Sequence, residues 1–169
     1  MSSSILRFGA FDVTSQVFAS TRHAMAFVNL KPIAPLHVLV VPRLNRYRRL
    51  NDLPPDVLGD VFGLVQAVQR GVERAAACAS STISIQDGPD AGQTVDHLHV
   101  HIVPRRKGDF EPNDAIYPKL DEFGLKLRAA QLCGTIEDEA RHPRKQEEMQ
   151  KEAQWLAREH FADLQFTPQ

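Results

Sequence analysis

A chain of 169 residues, 43% hydrophobic and 24% charged, is long enough for one domain with a true core and ordinary in composition for a globular protein. A formal net charge of -1 provides no global basic field to hold nucleic acid, and two cysteines, Cys78 and Cys133, exclude a disulfide framework and a CxxC site. No apolar run is long enough to span a bilayer and residues 1–8 do not read as a secretory signal, so the expectation is a single domain over 1–169, with partners that include neither nucleic acid nor membrane, working in the cytoplasm with the nucleus as a second compartment.

From the N-terminus, Phe8 to Phe18 carries spaced apolar residues and predicts two short extended pieces around a turn. Ala24 to Leu30 predicts a strand, and the prolines at 32 and 35 then forbid a helix and favour a connector. His37 to Val41, apolar and β-branched, predicts a buried strand ended by Pro42. The clearest helix is predicted over 54–76. Val57, Val61, Val65, Val68 and Val72 recur at helical spacing with Leu58 and Phe62 beside them, Pro54 and Pro55 suit a first turn, and Asn51 and Asp52 are capping candidates. Thr82 to Gln86 predicts a strand broken by Asp87-Gly88-Pro89, and Leu98 to Val103 predicts the last one. A second helix is expected from about Pro143 to Leu164, carried by Met149, Ala153, Leu156 and Phe161. The stretch 118–142 before it is poorly patterned and reads as a loop with a short helical piece. Strands with two unequal helices and no alternating strand–helix repeat predict an α+β domain.

The chemistry concentrates in Val95-Asp96-His97-Leu98-His99-Val100-His101-Ile102-Val103. In a strand, alternate side chains share a face, so His97, His99 and His101 are expected on one side and Leu98, Val100 and Ile102 on the other. Three reasons could place three imidazoles there. A solvated edge strand is one. A metal site is another, but His97 and His101 would stand about 13 Å apart at Cα, and a ligand from elsewhere, such as His37, would be needed for a tetrahedral ion. Phosphoryl or nucleotidyl transfer accounts for the run best: a neutral imidazole is a competent nucleophile near neutral pH, and neighbouring imidazoles can hydrogen-bond phosphate oxygens or protonate a leaving group. The preceding loop, Asp87 to Thr94, fits this reading. Gly92 permits close backbone approach to a ligand, and Gln93 and Thr94 add side-chain donors beside exposed N–H groups. Asn29 and Gln86 at strand ends, His37 at a strand start and the basic run Arg105-Arg106-Lys107 are ambiguous taken singly.

Together these residues resemble the histidine triad family. His97-Leu98-His99-Val100-His101-Ile102-Val103 is similar to its signature, and Gln86 to Val95, Val28 to Pro32, His37 to Val40, Pro104-Arg105, Gly108-Asp109-Phe110 and Asn113 to Tyr117 resemble the fragile histidine triad branch. The resemblance covers about residues 5–117, followed by a variable segment, about 118–142, and a C-terminal helix, about 143–164. It implies a homodimeric fold with a five-stranded antiparallel sheet and two helices per subunit. It also implies an enzyme that hydrolyses dinucleoside polyphosphates, diadenosine triphosphate above all, to AMP and the remaining nucleotide. His99 would be the nucleophile forming a nucleotidyl-histidine, His101 would hydrogen-bond the phosphate, and His97 and His37 would support the site. Gln86, Gly92, Gln93, Thr94 and Val95 match the substrate-binding positions, with Gln93 and Thr94 on phosphate; Asn29 matches the ribose contact. Magnesium or manganese would accompany the polyphosphate, and no structural metal is expected. Leu36 replaces the family's usual glycine, Phe11 falls near a position that holds histidine in animal members, and Asp96 replaces a commonly basic residue. A nucleoside phosphoramidase of the same family and a dinucleotide-binding signalling module are the alternative functions.

Overall fold

The computed structural model describes residues 5–120 and 144–165. A two-stranded hairpin comes first, β1 (Arg7–Phe8) and β2 (Phe11–Asp12). Five further strands follow: β3 (Val17–Ser20), β4 (Ala24–Val28), β5 (Val38–Pro42), β6 (Ser80–Ser84) and β7 (Val100–Arg105). They form one sheet in the order β3-β4-β5-β7-β6, every pair antiparallel. The long helix α1 spans Pro55–Ala76 between β5 and β6. A helical segment, α2, is described over 116–120, and α3 spans Gln146–Glu159. The expected α+β class and five-stranded antiparallel sheet are therefore present. The variable segment expected over 118–142 lies outside the described residues from 121 on.

The two faces of the sheet have different fates, as strand alternation requires. Ala24, Ala26, Val28, Val38, Val40, Val100 and Ile102 point to one side. There they meet the valine stripe of α1 and Met149, Ala153 and Leu156 of α3 in the main core. Met25, Phe27, Leu39 and Val41 point to the other side and are covered by Phe8, Val13 and Val95. Further along that second face, Val103 packs with Phe110, Ile116 and Leu120. His101 is the register partner of Leu39 and of Ser84, so it belongs to the second face, away from α1.

Several boundaries differ from the sequence expectation for identifiable reasons. Helix α1 opens at Pro55 with Pro54 as its N-cap and no side-chain cap. The capping candidate Asp52 instead accepts the backbone N–H groups of Arg48 and Arg49 in the preceding 3-10 turn. Leu58 and Phe62 lie off the buried stripe, each more than a third exposed. Strand β6 runs over Ser80–Ser84 rather than 82–86, its register set by pairing with β7. The last strand begins at Val100, not Leu98, because Leu98 donates its N–H to the carbonyl of Tyr47 in a loop. Strand alternation consequently places His101 but not His97. A tight turn, with the His97 N–H bonded to the Val95 carbonyl at 2.8 Å, brings His97 in.

Candidate active site

The four histidines singled out by the sequence are all buried, and they form one continuous group. His37 and His101 ring centroids are 5.2 Å apart, His101 and His99 5.1 Å. Phe8 of the N-terminal hairpin continues the row, 5.3 Å from His99 and 5.6 Å from His97. Sequence reasoning had no signal for Phe8, which reaches the group only because the hairpin folds over this face.

A hydrogen-bond partner fixes each ring's tautomer, because a neutral imidazole has one donor and one acceptor nitrogen. His99 Nδ1–H donates to the carbonyl oxygen of His97 at 2.9 Å, which leaves the lone pair on Nε2. The Ile33 N–H donates to His37 Nδ1 at 3.2 Å, so the proton of His37 sits on Nε2. That Nε2–H donates to His101 Nδ1 at 3.0 Å, which puts the His101 proton on its own Nε2. The site thus presents one basic nitrogen, on His99, beside one ring, His101, carrying a donor. His97 is spent on architecture. Its Nε2–H donates to the carbonyl of Pro42 at 2.7 Å and its Nδ1 accepts the Gly9 N–H at 3.2 Å, tying β5, the hairpin and the histidine loop together. Glycine is required at position 9: φ is +56° and a Cβ would meet Val95 Cγ1 at 2.7 Å.

Burial holds these rings neutral. Desolvation lowers the His97 pKa to about 4, opposed by the bond to Pro42 and assisted by His99. The His99 pKa is lowered by desolvation, with the His97 carbonyl pulling the other way. The His101 pKa lies well below its ordinary value, through desolvation and the neighbouring His99 and His37. Of the three triad rings, His99 alone keeps a measurable opening, 3% exposed against 0% for the others.

The remaining sequence candidates divide. Asn29, buried at the end of β4, sets its Nδ2 3.4 and 3.3 Å from the two ring nitrogens of His37 and accepts the Lys31 N–H at 3.1 Å. Gln86 is buried just beyond β6. Gly92, at φ +87°, ends the 3-10 turn Pro89–Ala91, and Thr94 and Asp96 border a cleft of about 300 Å³ with Pro89 and Gln93. The Gln93 side chain braces the loop: Oε1 accepts the Gly88 N–H at 2.8 Å, and Nε2 donates to the carbonyls of Arg48 and Val95 at 2.7 and 3.0 Å. Val95 packs in the hairpin cluster. Leu36 adopts φ +59°, the conformation that a glycine would take without a Cβ penalty, and Asp96 pairs with Arg48 at 3.4 Å. Phe11 is 42% exposed on β2. Among the described residues no three of His, Cys, Asp and Glu are grouped to share a metal ion.

The structure thus presents a five-stranded antiparallel sheet carrying a chain of buried histidines, with the basic Nε2 of His99 beside the donor ring of His101. Comparison with known proteins agrees with the fold and the motif. The HIT domain model matches residues 10–108, so the chain belongs to the HIT domain family. It is 46% identical to the asymmetrical bis(5'-nucleosyl)-tetraphosphatase of Schizosaccharomyces pombe, covering 89% of this chain and 92% of that protein. It is 45% identical to the Arabidopsis thaliana bifunctional bis(5'-adenosyl)-triphosphatase/adenylylsulfatase FHIT, covering 72% and 67%. Among solved structures, the Plasmodium falciparum diadenosine triphosphate hydrolase in complex with cyclomarin A superposes with a TM-score of 0.70 at 27% identity, covering 93% of this chain and 84% of that one.

Proposed function

We propose that this protein is a dinucleoside polyphosphate hydrolase that attacks the α-phosphorus with His99 and releases a nucleoside monophosphate. The tautomer of His99 carries the proposal: with Nδ1–H committed to the His97 carbonyl, the basic Nε2 is the nitrogen left for phosphorus. Relatives named as a tetraphosphatase and as triphosphatases support the substrate class, with either bridge length within it.

In the first step His99 Nε2 forms a bond to the α-phosphorus, and the bond from that phosphorus to the bridging oxygen breaks. The leaving nucleotide takes the electron pair. The ring gains positive character as the bond forms, and the His97 carbonyl, already accepting its Nδ1–H, stabilises that charge without reorganising. The His101 Nε2–H is the donor assigned to the phosphate. In the second step water breaks the phosphorus–nitrogen bond, releasing AMP and restoring neutral His99. Magnesium enters with the substrate's phosphates, whose charge it partly neutralises. Asn29 takes the ribose, and Gln86 and the Gly92–Val95 loop flank the polyphosphate. The same reading includes a homodimer. Among the described residues edge strand β6 pairs only with β7, and Ile83 on it and Leu58 and Phe62 on α1 stay about 40% exposed, a surface that a second copy would cover. Among the described residues no helix is long and apolar enough to cross a membrane, and the cytoplasm is the proposed compartment.

The test is rapid acid-free quench of wild-type protein with α-labelled diadenosine triphosphate, followed by peptide mapping. The expected result is an AMP adduct on His99 and, with a chiral α-phosphorus, net retention of configuration, since two in-line displacements each invert. H99N should bind nucleotide with near-native affinity and lose turnover. Inversion of configuration, or turnover by H99N near the wild-type rate, overturns the proposal.

A further inference from the structure

The C-terminal segment lies more than a hundred residues after β4 in sequence, yet it grips the backbone of the site. Arg144 Nε–H and Nη2–H both donate to the carbonyl oxygen of Asn29, at 3.1 and 2.6 Å, and the Arg144 N–H donates to the Leu30 carbonyl at 3.1 Å. The third side-chain nitrogen, Nη1, pairs with Glu152 of α3. Both partners of this ion pair are about 80% shielded from solvent. A two-pronged guanidinium contact fixes direction as well as distance, which a lysine cannot do. Met149 and Leu156 anchor α3 in the main core, so Arg144 is itself held from a rigid element. Arg144 and Leu30 also border the same open cavity of about 590 Å³, with Asp12, Thr14, Gln16 and Met149.

We propose that Arg144 is a positioning residue: it clamps the Asn29 carbonyl and thereby aims the Asn29 side chain at the nucleoside. This inference rests on the function proposed above. The effect should fall on binding rather than on the chemical step, for a structural reason. The His37 and His101 tautomers are set by the Ile33 N–H and by each other, and His99 is set by the His97 carbonyl. None of these contacts runs through Arg144. Asn29 Nδ2 also lies 3.4 and 3.3 Å from the His37 ring nitrogens, longer contacts than the Ile33 and His101 bonds that set that ring, so releasing Asn29 loosens the ribose contact first and leaves His99 in place on the His97 carbonyl.

The experiment compares R144M, R144K and R144M/E152M with the wild-type chain on diadenosine triphosphate and on its analogue lacking the ribose 2'- and 3'-hydroxyls. The double variant removes the carboxylate that R144M would strand in a shielded position, so a poorly folded R144M leaves the comparison intact. Expected for R144M and the double variant is a KM raised roughly fivefold on the hydroxylated substrate, the factor for one lost hydrogen bond. The kcat should stay within about twofold of wild type, and KM on the dideoxy analogue should be unchanged. R144K should recover only part of the loss. Equal KM changes on both substrates, or a fall in kcat at constant KM, overturns the inference. A wild-type chain that turns over neither substrate overturns the proposed function first, and is told apart from a failure of the clamp by the wild-type rate alone.

Discussion

His97 gives the sharpest test of how the site is built, because its role can be read from stability without any substrate. Its ordinary pKa of 6.5 applies in the unfolded chain, and burial lowers it to about 4 in the fold. Between those values the unfolded chain binds a proton that the native state refuses. Stability is therefore complete above the unfolded value and is lost as pH falls toward the folded one. The whole shift is worth about 3 kcal/mol. Over the part of the window between about pH 7.5 and 5, this one ring accounts for a loss of about 2 kcal/mol. His99 and His101, also lowered, act in the same direction. Asp12, Asp87 and Asp109, lowered from 3.8, lose their contributions only at more acid pH. The assay is urea denaturation across that interval for wild type and for H97Q, which keeps a donor and an acceptor but cannot titrate. H97Q should be less stable at neutral pH and should show a shallower slope, by about 2 kcal/mol over the interval. Equal slopes for the two proteins, or a flat wild-type profile, would refute the assignment of a buried neutral ring to His97.

H37F keeps an aromatic ring at this position but removes the donor to His101 Nδ1 and strands the Ile33 N–H; kcat should fall about 10- to 100-fold, the worth of one or two buried polar contacts, and a kcat within twofold of wild type would contradict the tautomer chain. Ala77 closes α1 at φ +50° in an exposed position, so A77G should relieve about 1–2 kcal/mol of left-handed strain against about 0.5–1 kcal/mol of added chain entropy and raise Tm by a few degrees; a lower Tm in thermal melts would show that the strain is absent. Exhaustive removal of tightly bound zinc followed by return of magnesium should leave steady-state turnover intact, and a stoichiometric zinc requirement in the same assay would overturn the histidine nucleophile.

The relation between sequence and structure is uneven in an instructive way. The α1 stripe and the interior strands β4 and β5 were legible, and β7 to within two residues at each end, because local periodicity reports which face is buried, and burial dominates their energetics. The edge strand β6 was misplaced by two residues because its ends answer to a partner strand, not to its own pattern. Asn51 and Asp52 looked like caps for α1, but a turn inserted before Pro54 took Asp52's acceptor for its own backbone.

For the site, sequence by itself named the candidate side chains: the alternation from His97 to Ile102 and the motifs around Asn29, His37 and the Asp87–Thr94 loop needed no coordinates, and the fold gathers the four histidines into one buried group. Tertiary structure decided what each one does there. Which nitrogen of His99 holds the lone pair depends on a carbonyl two residues back in the chain. The His101 proton is set by a ring 64 residues away and, behind it, by the Ile33 backbone. His97 entered through a turn instead of a pleat, and Phe8 and Arg144 arrived from the two ends of the chain. The physical reason is the same throughout. Side-chain type and periodicity are local properties that a sequence displays, whereas a proton's position in a buried imidazole is fixed by whichever backbone group folding brings to its other nitrogen.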